Sequence, residues 1–313
     1  FLNTKFGKSE LGRWFQGQVQ PHLSLEDARK IWVSLIPECA QAEVERLVVA
    51  SKNARDYADS AWCRAQQLFE SELGLDKLRF DKPADHMAGF SVVGLADSFN
   101  VNRIDAQCFS PEAVFYEDWL LKYANCVRLG RLLASTEKGR QQTEVETGTA
   151  DYCSIKHIIG HEIVGASQAY PAAGTPSARK DDLLLAITGA TIGKIGIVNR
   201  YDNLVFSGDM LCLRGNGLVS PHYLLLTLDH HLGQVQFNRW ITGSTNGHLA
   251  PRDVGRVLIP RFAHHKEEKI AALVADSLEK RQQSEQLLEQ AKSRVEQIIE
   301  EGEGCGIWPT FHS

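Results

Sequence analysis

Four short stretches of this chain carry residue types that can grip or read a polyanion. The polar stretch Ser135 to Thr149 holds Lys138, Arg140, Gln141 and Gln142, with Gly139 and Gly148 among them. Arginine reads guanine edges and glutamine reads adenine edges, so the stretch is either a groove reader or a plain flexible loop. Arg179-Lys180 is a second basic pair, weakened by Asp181 and Asp182 beside it. Gly189-Ala190-Thr191-Ile192-Gly193-Lys194 invites comparison with a phosphate-binding loop, but only three residues separate its glycines and Ile195, not Ser or Thr, follows the lysine. It reads as a tight turn whose Thr191 and Lys194 either stay solvated or meet DNA phosphates or bases. The fourth stretch, Ser244-Thr245-Asn246-Gly247-His248, offers hydroxyls and an amide to bases or phosphates. A structural role, fixing the angle between domain and helix, suits it as well, and Arg239 either reaches DNA or stacks on Trp240.

Other chemistries are excluded by what the chain lacks. There is no Gly-x-Ser-x-Gly elbow, no Asp-Pro-Pro-Tyr type of methyl-donor site, and no carboxylate-lysine nuclease cluster. The paired histidines His230-His231 and His264-His265 are adjacent, so neither pair can face one way on a helix or strand. The seven cysteines are scattered with no Cys-x-x-Cys among them, which points to small buried hydrophobes kept reduced in a cytosol. No catalytic residue, metal or cofactor is expected.

The elements that must position these groups follow from periodicity. Residues 1 to 37 read as a helix through Arg13 and Trp14, a turn at Gly17, a short helix begun by Ser24 and a strand from Ile31 to Ile36 stopped by Pro37. From Glu38 to Leu73, Val44, Leu47, Ser51, Ala54, Ala58, Ala61, Ala65 and Leu68 recur at spacings of three and four. Ile270, Val274, Ser277, Arg281, Ser284, Leu288, Ala291, Val295 and Ile298 do the same in a run from Lys266 to Glu301 that holds no Pro or Gly. Helices this long with so narrow a seam call for a helical partner, and an antiparallel pairing of the two is the simplest solution. Between them, Tyr152 to Ile155, Leu183 to Ile187 and Ile195 to Val198 read as strands, Pro221 to Leu228 and Gly233 to Ile241 as helices. The fold class expected is α+β: a globular mixed α/β domain plus two long helices in an antiparallel coiled coil.

The chain also repeats itself. A shift of about 226 positions pairs Gly7 with Gly233, Arg13 with Arg239, Trp14 with Trp240, His22 with His248, Leu23 with Leu249 and Asp27 with Asp253. Beyond them it pairs Val44 with Ile270, Leu47 with Leu273 and Ser51 with Ser277. A tryptophan, a histidine and glycines in fixed register mark a duplicated module.

The turn Thr242-Gly243-Ser244-Thr245-Asn246-Gly247-His248-Leu249 before Val257-Leu258-Ile259-Pro260, together with Asp182 to Val198, resembles the specificity subunit of a type I DNA restriction-modification system. Asn102-Arg103-Ile104-Asp105-Ala106-Gln107 before Phe109-Ser110-Pro111 resembles the opening of some recognition domains in that family. The earlier copy departs from the pattern, with Gln18 and Val19 where Ser244 and Thr245 stand in the later one. The resemblance implies a C-terminal remnant of a first target-recognition domain at 1–37, a long helix at 38–77, a complete target-recognition domain at 78–262, a second long helix at 263–303 and a tail at 304–313. On this reading most of a first domain would precede Phe1. It further implies double-stranded DNA as ligand, adenine-N6 methyltransferase subunits docked on the helices, a restriction subunit in the complex, no membrane, and a cytoplasmic setting.

Charge alone would not have suggested DNA. The chain's net charge is −5, and residues 78 to 262 hold 18 Lys+Arg against 18 Asp+Glu. A neutral segment can still present a basic face. Two alternatives stay open: a recognition segment of a single-chain restriction-methylation enzyme, and an interaction scaffold that does not bind DNA.

Overall fold

The computed structural model describes residues 1–16, 22–75, 78, 80, 94–123, 125–243, 245–302 and 306–309. The chain divides into two compact units, Phe1–Ser60 with Asp276–Ser313 and Ala61–Ala275.

The chain begins with α1 (Lys5–Gly12), capped by the Thr4 hydroxyl, α2 (Leu25–Ala28), capped by Ser24, and β1 (Trp32–Leu35). Arg13 and Trp14 fall just beyond α1, which ends at Gly12. Pro37, which has no amide to donate, separates β1 from α3 (Glu38–Leu73). Next come α4 (Leu95–Val101), α5 (Pro111–Lys122), β2 (Cys126–Arg128), β3 (Leu133–Lys138), β4 (Ala150–Cys153), β5 (Ile158–Ile159) and β6 (Glu162–Ile163). Beyond them lie β7 (Ser167–Ala169), β8 (Ser177–Ala178), β9 (Leu183–Ala186), β10 (Ile195–Ile197), β11 (Leu204–Phe206) and β12 (Met210–Gly215). The remaining elements are α6 (Pro221–Asp229), α7 (His231–Trp240), β13 (Ile241–Thr242), β14 (His248–Leu249), α8 (Pro251–Val254), β15 (Leu258–Pro260), α9 (His264–Glu301) and β16 (Gly306–Pro309).

The second unit is built on a six-stranded sheet ordered β3-β12-β9-β10-β6-β5 and a four-stranded sheet ordered β7-β4-β11-β8. Every residue of β9 is buried, as an unbroken Leu-Leu-Leu-Ala run requires of a central strand, whereas β3 alternates half-buried and exposed positions as an edge strand does. One apolar core draws on both sheets, through Leu184, Met210 and Cys212 from the first and Cys153, Leu204 and Phe206 from the second. Helix α6 starts at Pro221 behind the Ser220 cap and buries Tyr223 through Leu228. The expected α+β class, with its two long helices, is the one observed.

The helices pair antiparallel within each unit. In the first, the Ser51 hydroxyl lies 2.9 Å from both the Ser284 carbonyl and the Ser284 hydroxyl, and the Ser277 hydroxyl donates to the Ala58 carbonyl at 2.7 Å. Arg281 meets Asp59 and Arg294 meets Glu43 along the flanks. The polar residues of the seam therefore hydrogen-bond across it, and residues as small as Ser and Ala are what let a side chain reach the facing backbone. In the second unit Lys266 pairs with Glu72, and Phe69 packs among Tyr223, Phe262 and His230. Leu288 departs from the expected stripe: it is 50% exposed, and the seam passes from Ser284 to Ala291 beside half-buried Leu287. Phe69, not Leu68, is the fully buried residue at the end of α3.

The shift of 226 is realised element by element. Helices α1, α2 and α3 begin at residues 5, 25 and 38, and α7, α8 and α9 at 231, 251 and 264. Glycine is demanded at the matched positions Gly7 and Gly233, where a Cβ would stand 2.4 Å from the Phe1 carbonyl oxygen and 2.5 Å from that of Leu228 respectively. Strand β1 pairs with β16 as β15 pairs with β2, Trp32 facing Pro309 where Leu258 faces Arg128.

Substitution in the seam should separate these positions. Ala58→Leu overpacks a fully buried site and should lower unfolding free energy by about 1–3 kcal/mol, whereas Leu288→Lys should change it by no more than about 0.5 kcal/mol. Urea unfolding followed by circular dichroism checks both.

Candidate nucleic-acid interface

Strand register decides which polar groups meet. Lys138 at the end of β3 faces Leu211 near the start of β12, Met210 of β12 faces Ala186 at the end of β9, and Leu185 faces Ile195 at the start of β10. Because these three pairings are antiparallel, the segments 138–142, 207–209, 187–191 and 193–194 all emerge at one end of the six-stranded sheet. The β13–β14 turn joins them there: the Gly189 amide donates to the Gly247 carbonyl at 3.0 Å and the Leu249 amide to the Ile187 carbonyl at 2.9 Å. The result is a rim that gathers Lys138, Arg140, Gln141, Thr191, Lys194, Thr245 and Asn246, all exposed, with half-buried Gln142. Ser244 lies outside the described residues.

The rim is held from beneath. The Arg140 amide donates to the Phe206 carbonyl at 2.9 Å, and the Ser207 hydroxyl donates to the Gln141 side-chain carbonyl at 2.9 Å. The Gln142 side-chain amide donates to the Arg140 carbonyl at 3.1 Å. Gly193, at φ +93, holds a backbone conformation that residues with a Cβ rarely adopt, and a Cβ there would also displace the Gln234 side-chain carbonyl. Lys194 Nζ reaches the Ile155 carbonyl at 3.3 Å, and exposed Asp209 is the acid set among these cations. Ser207 and Asp209 were not singled out in the sequence; the signal available was Gly208 between two apolar strands.

Arg179 and Lys180 are exposed but precede β9, so they stand at the opposite end of the sheet from the rim. Neighbouring Asp182 is buried, accepting from the Arg179 amide at 3.0 Å and from the Arg214 guanidinium at 2.7 Å. Arg239 is not brought to the surface. Its side chain is only 6% exposed, ion-paired to Glu117 and stacked on Trp240 and Phe109.

The repeated Trp and Asp positions form a clamp in each copy. Lys30 lies 5.4 Å from the Trp14 ring centre and 2.9 Å from Asp27, while the matched Arg256 lies 4.8 Å from the Trp240 ring centre and 3.1 Å from Asp253. A cation held between an indole face and a carboxylate ties the turn after α1, or the end of α7, to the short helix beyond it. Asp27 is held below its ordinary pKa by hydrogen bonds from the Ser24 hydroxyl and the Lys30 ammonium. Lys30 and Arg256 were missed in the sequence, although the same shift pairs them. Among the described cysteines Cys108, Cys153 and Cys212 are buried, and burial pushes the Cys153 thiol up to about 12, but Cys39 and Cys63 are exposed.

The Ser154–His157 turn lies under Lys194. Burial of the ring, with Lys156 beside it, pushes the His157 pKa below its ordinary 6.5, and neutral Nδ1 accepts the Ser154 amide at 2.9 Å.

No protein-family model matches the chain, and no curated protein sequence matches it. Among solved structures it is similar to the S subunit of a type I restriction-modification system from M. genitalium, at 12% identity and a TM-score of 0.44, covering 94% of this chain and 69% of that one. It is also similar to the HsdS subunit from Thermoanaerobacter tengcongensis, at 14% identity and a TM-score of 0.39, covering 94% of this chain and 67% of that one.

Two outcomes are expected. Arg239→Ala strands Glu117 and should cost about 2 kcal/mol or more of stability, whereas exposed Lys194→Ala should stay within about 0.5 kcal/mol of the parent, both read from thermal unfolding. Because the folded pKa of His157 is depressed, its neutral form contributes stability above pH 6.5 that is lost as pH falls through the lower folded value. The melting temperature should therefore drop on acidification below pH 6.5, with a shallower slope in His157→Gln.

Proposed function

We propose that this chain is a DNA sequence-recognition subunit of a type I restriction-modification complex, in which residues 78–262 read one half of a bipartite site. The observation that carries the reading is the rim: Lys138, Arg140 and Lys194 supply phosphate or guanine contacts, and Thr191, Thr245, Asn246 and the two glutamines supply neutral base-reading groups. Their partners bias what they read. With its carbonyl occupied by Ser207, Gln141 presents amide donors and suits a purine N7 or guanine O6, while Gln142, whose amide is engaged by Arg140, presents an acceptor suited to an adenine or cytosine amino group. The resemblance read in the sequence, with its repeated frame, supports docking of adenine-N6 methyltransferase subunits along α3 and α9, with the restriction subunit joining them. Arg179 and Lys180, at the other end of the sheet, serve as outlying phosphate contacts in this reading. Arg239 serves as support for the frame.

The test is duplex binding by the assembled methylation complex as salt is varied. Lys194→Ala and Arg140→Ala should each lower affinity and reduce the salt slope by about 1, while Gln141→Ala should leave the slope unchanged and relax base preference. Equal affinity and slope in all three variants would contradict the proposal.

A further inference from the structure

The cations of the rim invite a polyanion, and the acid among them does not. Asp209 is exposed in the turn at 207–210, which carries the chain from β11 in the four-stranded sheet to β12 in the six-stranded sheet. The Met210 amide closes this turn on the Ser207 carbonyl at 3.0 Å. Both sheets hold it: the Ser207 amide donates to the Cys153 carbonyl at 2.8 Å, and the Ile187 amide donates to the Asp209 carbonyl at 2.9 Å. The buried Ser207 hydroxyl has two partners, accepting from the Asp209 amide at 3.2 Å and donating to the Gln141 side-chain carbonyl at 2.9 Å. The backbone beneath the carboxylate is thus fixed, and one hydroxyl sets the spacing between Asp209 and Gln141.

The carboxylate itself is left over. Among the described residues it meets no ion-pair or hydrogen-bond partner, although Lys138, Arg140 and Lys194 share its end of the sheet. Facing a duplex, an unpaired carboxylate is repelled by the phosphates and by every acceptor on a base edge. The groove offers it one kind of partner, the amino group of a base. In the major groove cytosine presents its N4 amino group alone, adenine presents N6 beside the N7 acceptor, and the edges of guanine and thymine present acceptors. A group that can only accept therefore fits cytosine, tolerates adenine and rejects the other two, and the rejection is part of the selectivity. A short side chain on so fixed a backbone loses little freedom in making the contact.

We propose that Asp209 is a specificity-determining residue that accepts the amino group of a cytosine in the major groove, at the base pair read by Gln141 or the one next to it. The inference rests on the reading of the rim as a DNA-recognition surface. The spacing follows from the shared Ser207 hydroxyl, since consecutive base pairs lie about 3.4 Å apart along the duplex.

The test is equilibrium binding of the parent chain, Asp209→Asn and Asp209→Ala, each assembled with the methylation subunits, to duplexes carrying all four base pairs at every position of the motif that the parent selects. The parent should favour cytosine at one position by about tenfold over guanine or thymine. Asparagine, which donates as well as accepts, should move that preference to adenine, and alanine should leave the four bases within about twofold of one another. Gln141→Ala should alter the same position or the adjacent one. Circular dichroism confirms that these exposed-site variants fold. Preferences matching the parent's at every position in both variants, or a uniform rise in affinity with no position changed, would overturn the proposal and leave DNA recognition standing. A parent that binds every duplex alike would overturn DNA recognition and the proposal with it.

Discussion

A helix of 36 residues with a narrow seam of serines and alanines cannot bury enough apolar surface alone to stay ordered, and its small residues make close approach to another helix the only way to exclude water. Everything else in the chain depends on that requirement being met. Ser51 and Ser277 show how: each hydroxyl satisfies itself on the backbone or side chain of the facing helix, so polar atoms in the seam do not become unpaired buried groups. The Ser51–Ser284 contact marks the register, because sliding one helix by a turn would part the two hydroxyls. A seam of leucines would hold more tightly but specify alignment less.

Each helix is preceded by the same order of a helix, a short helix and a strand, locked by a cation held between an indole and a carboxylate. The two copies use Lys30 and Arg256 for the same task, which shows that what the frame requires is a positive charge of the right reach and not a particular residue. That division of labour matches the burial: Arg239, Trp240 and Asp253 are buried, while the groups of the rim face outward. Rigid supports carrying variable polar loops are how a recognition surface is built without endangering its fold.

Much of this was legible in the residues. Ser24, Pro37, Ser220 and Pro221 marked element ends, and the spacing of three and four residues placed both long helices. The repeat located equivalent elements in the two copies. Three things were not legible. Leu288 fits the helical stripe as well as Leu287 does, and only the position of the facing helix selects between them. The burial of Arg239 depends on Glu117, a partner 122 positions earlier that no local pattern announces. The assembly of the rim depends on strand order, since Arg140, Thr191 and Asn246 are far apart in sequence and converge only because β3, β12, β9 and β10 alternate in direction. The same order sends Arg179 and Lys180 to the other end, although in the sequence they look as basic as the rim.

The most direct test of the central claim is selection from a random duplex library by the chain assembled with its methylation subunits, with sequencing of the retained DNA. The account predicts enrichment of a short defined motif, altered at individual positions by substitution of Gln141, Gln142 or Asn246. Retention without sequence preference, or a motif indifferent to those three residues, would contradict it.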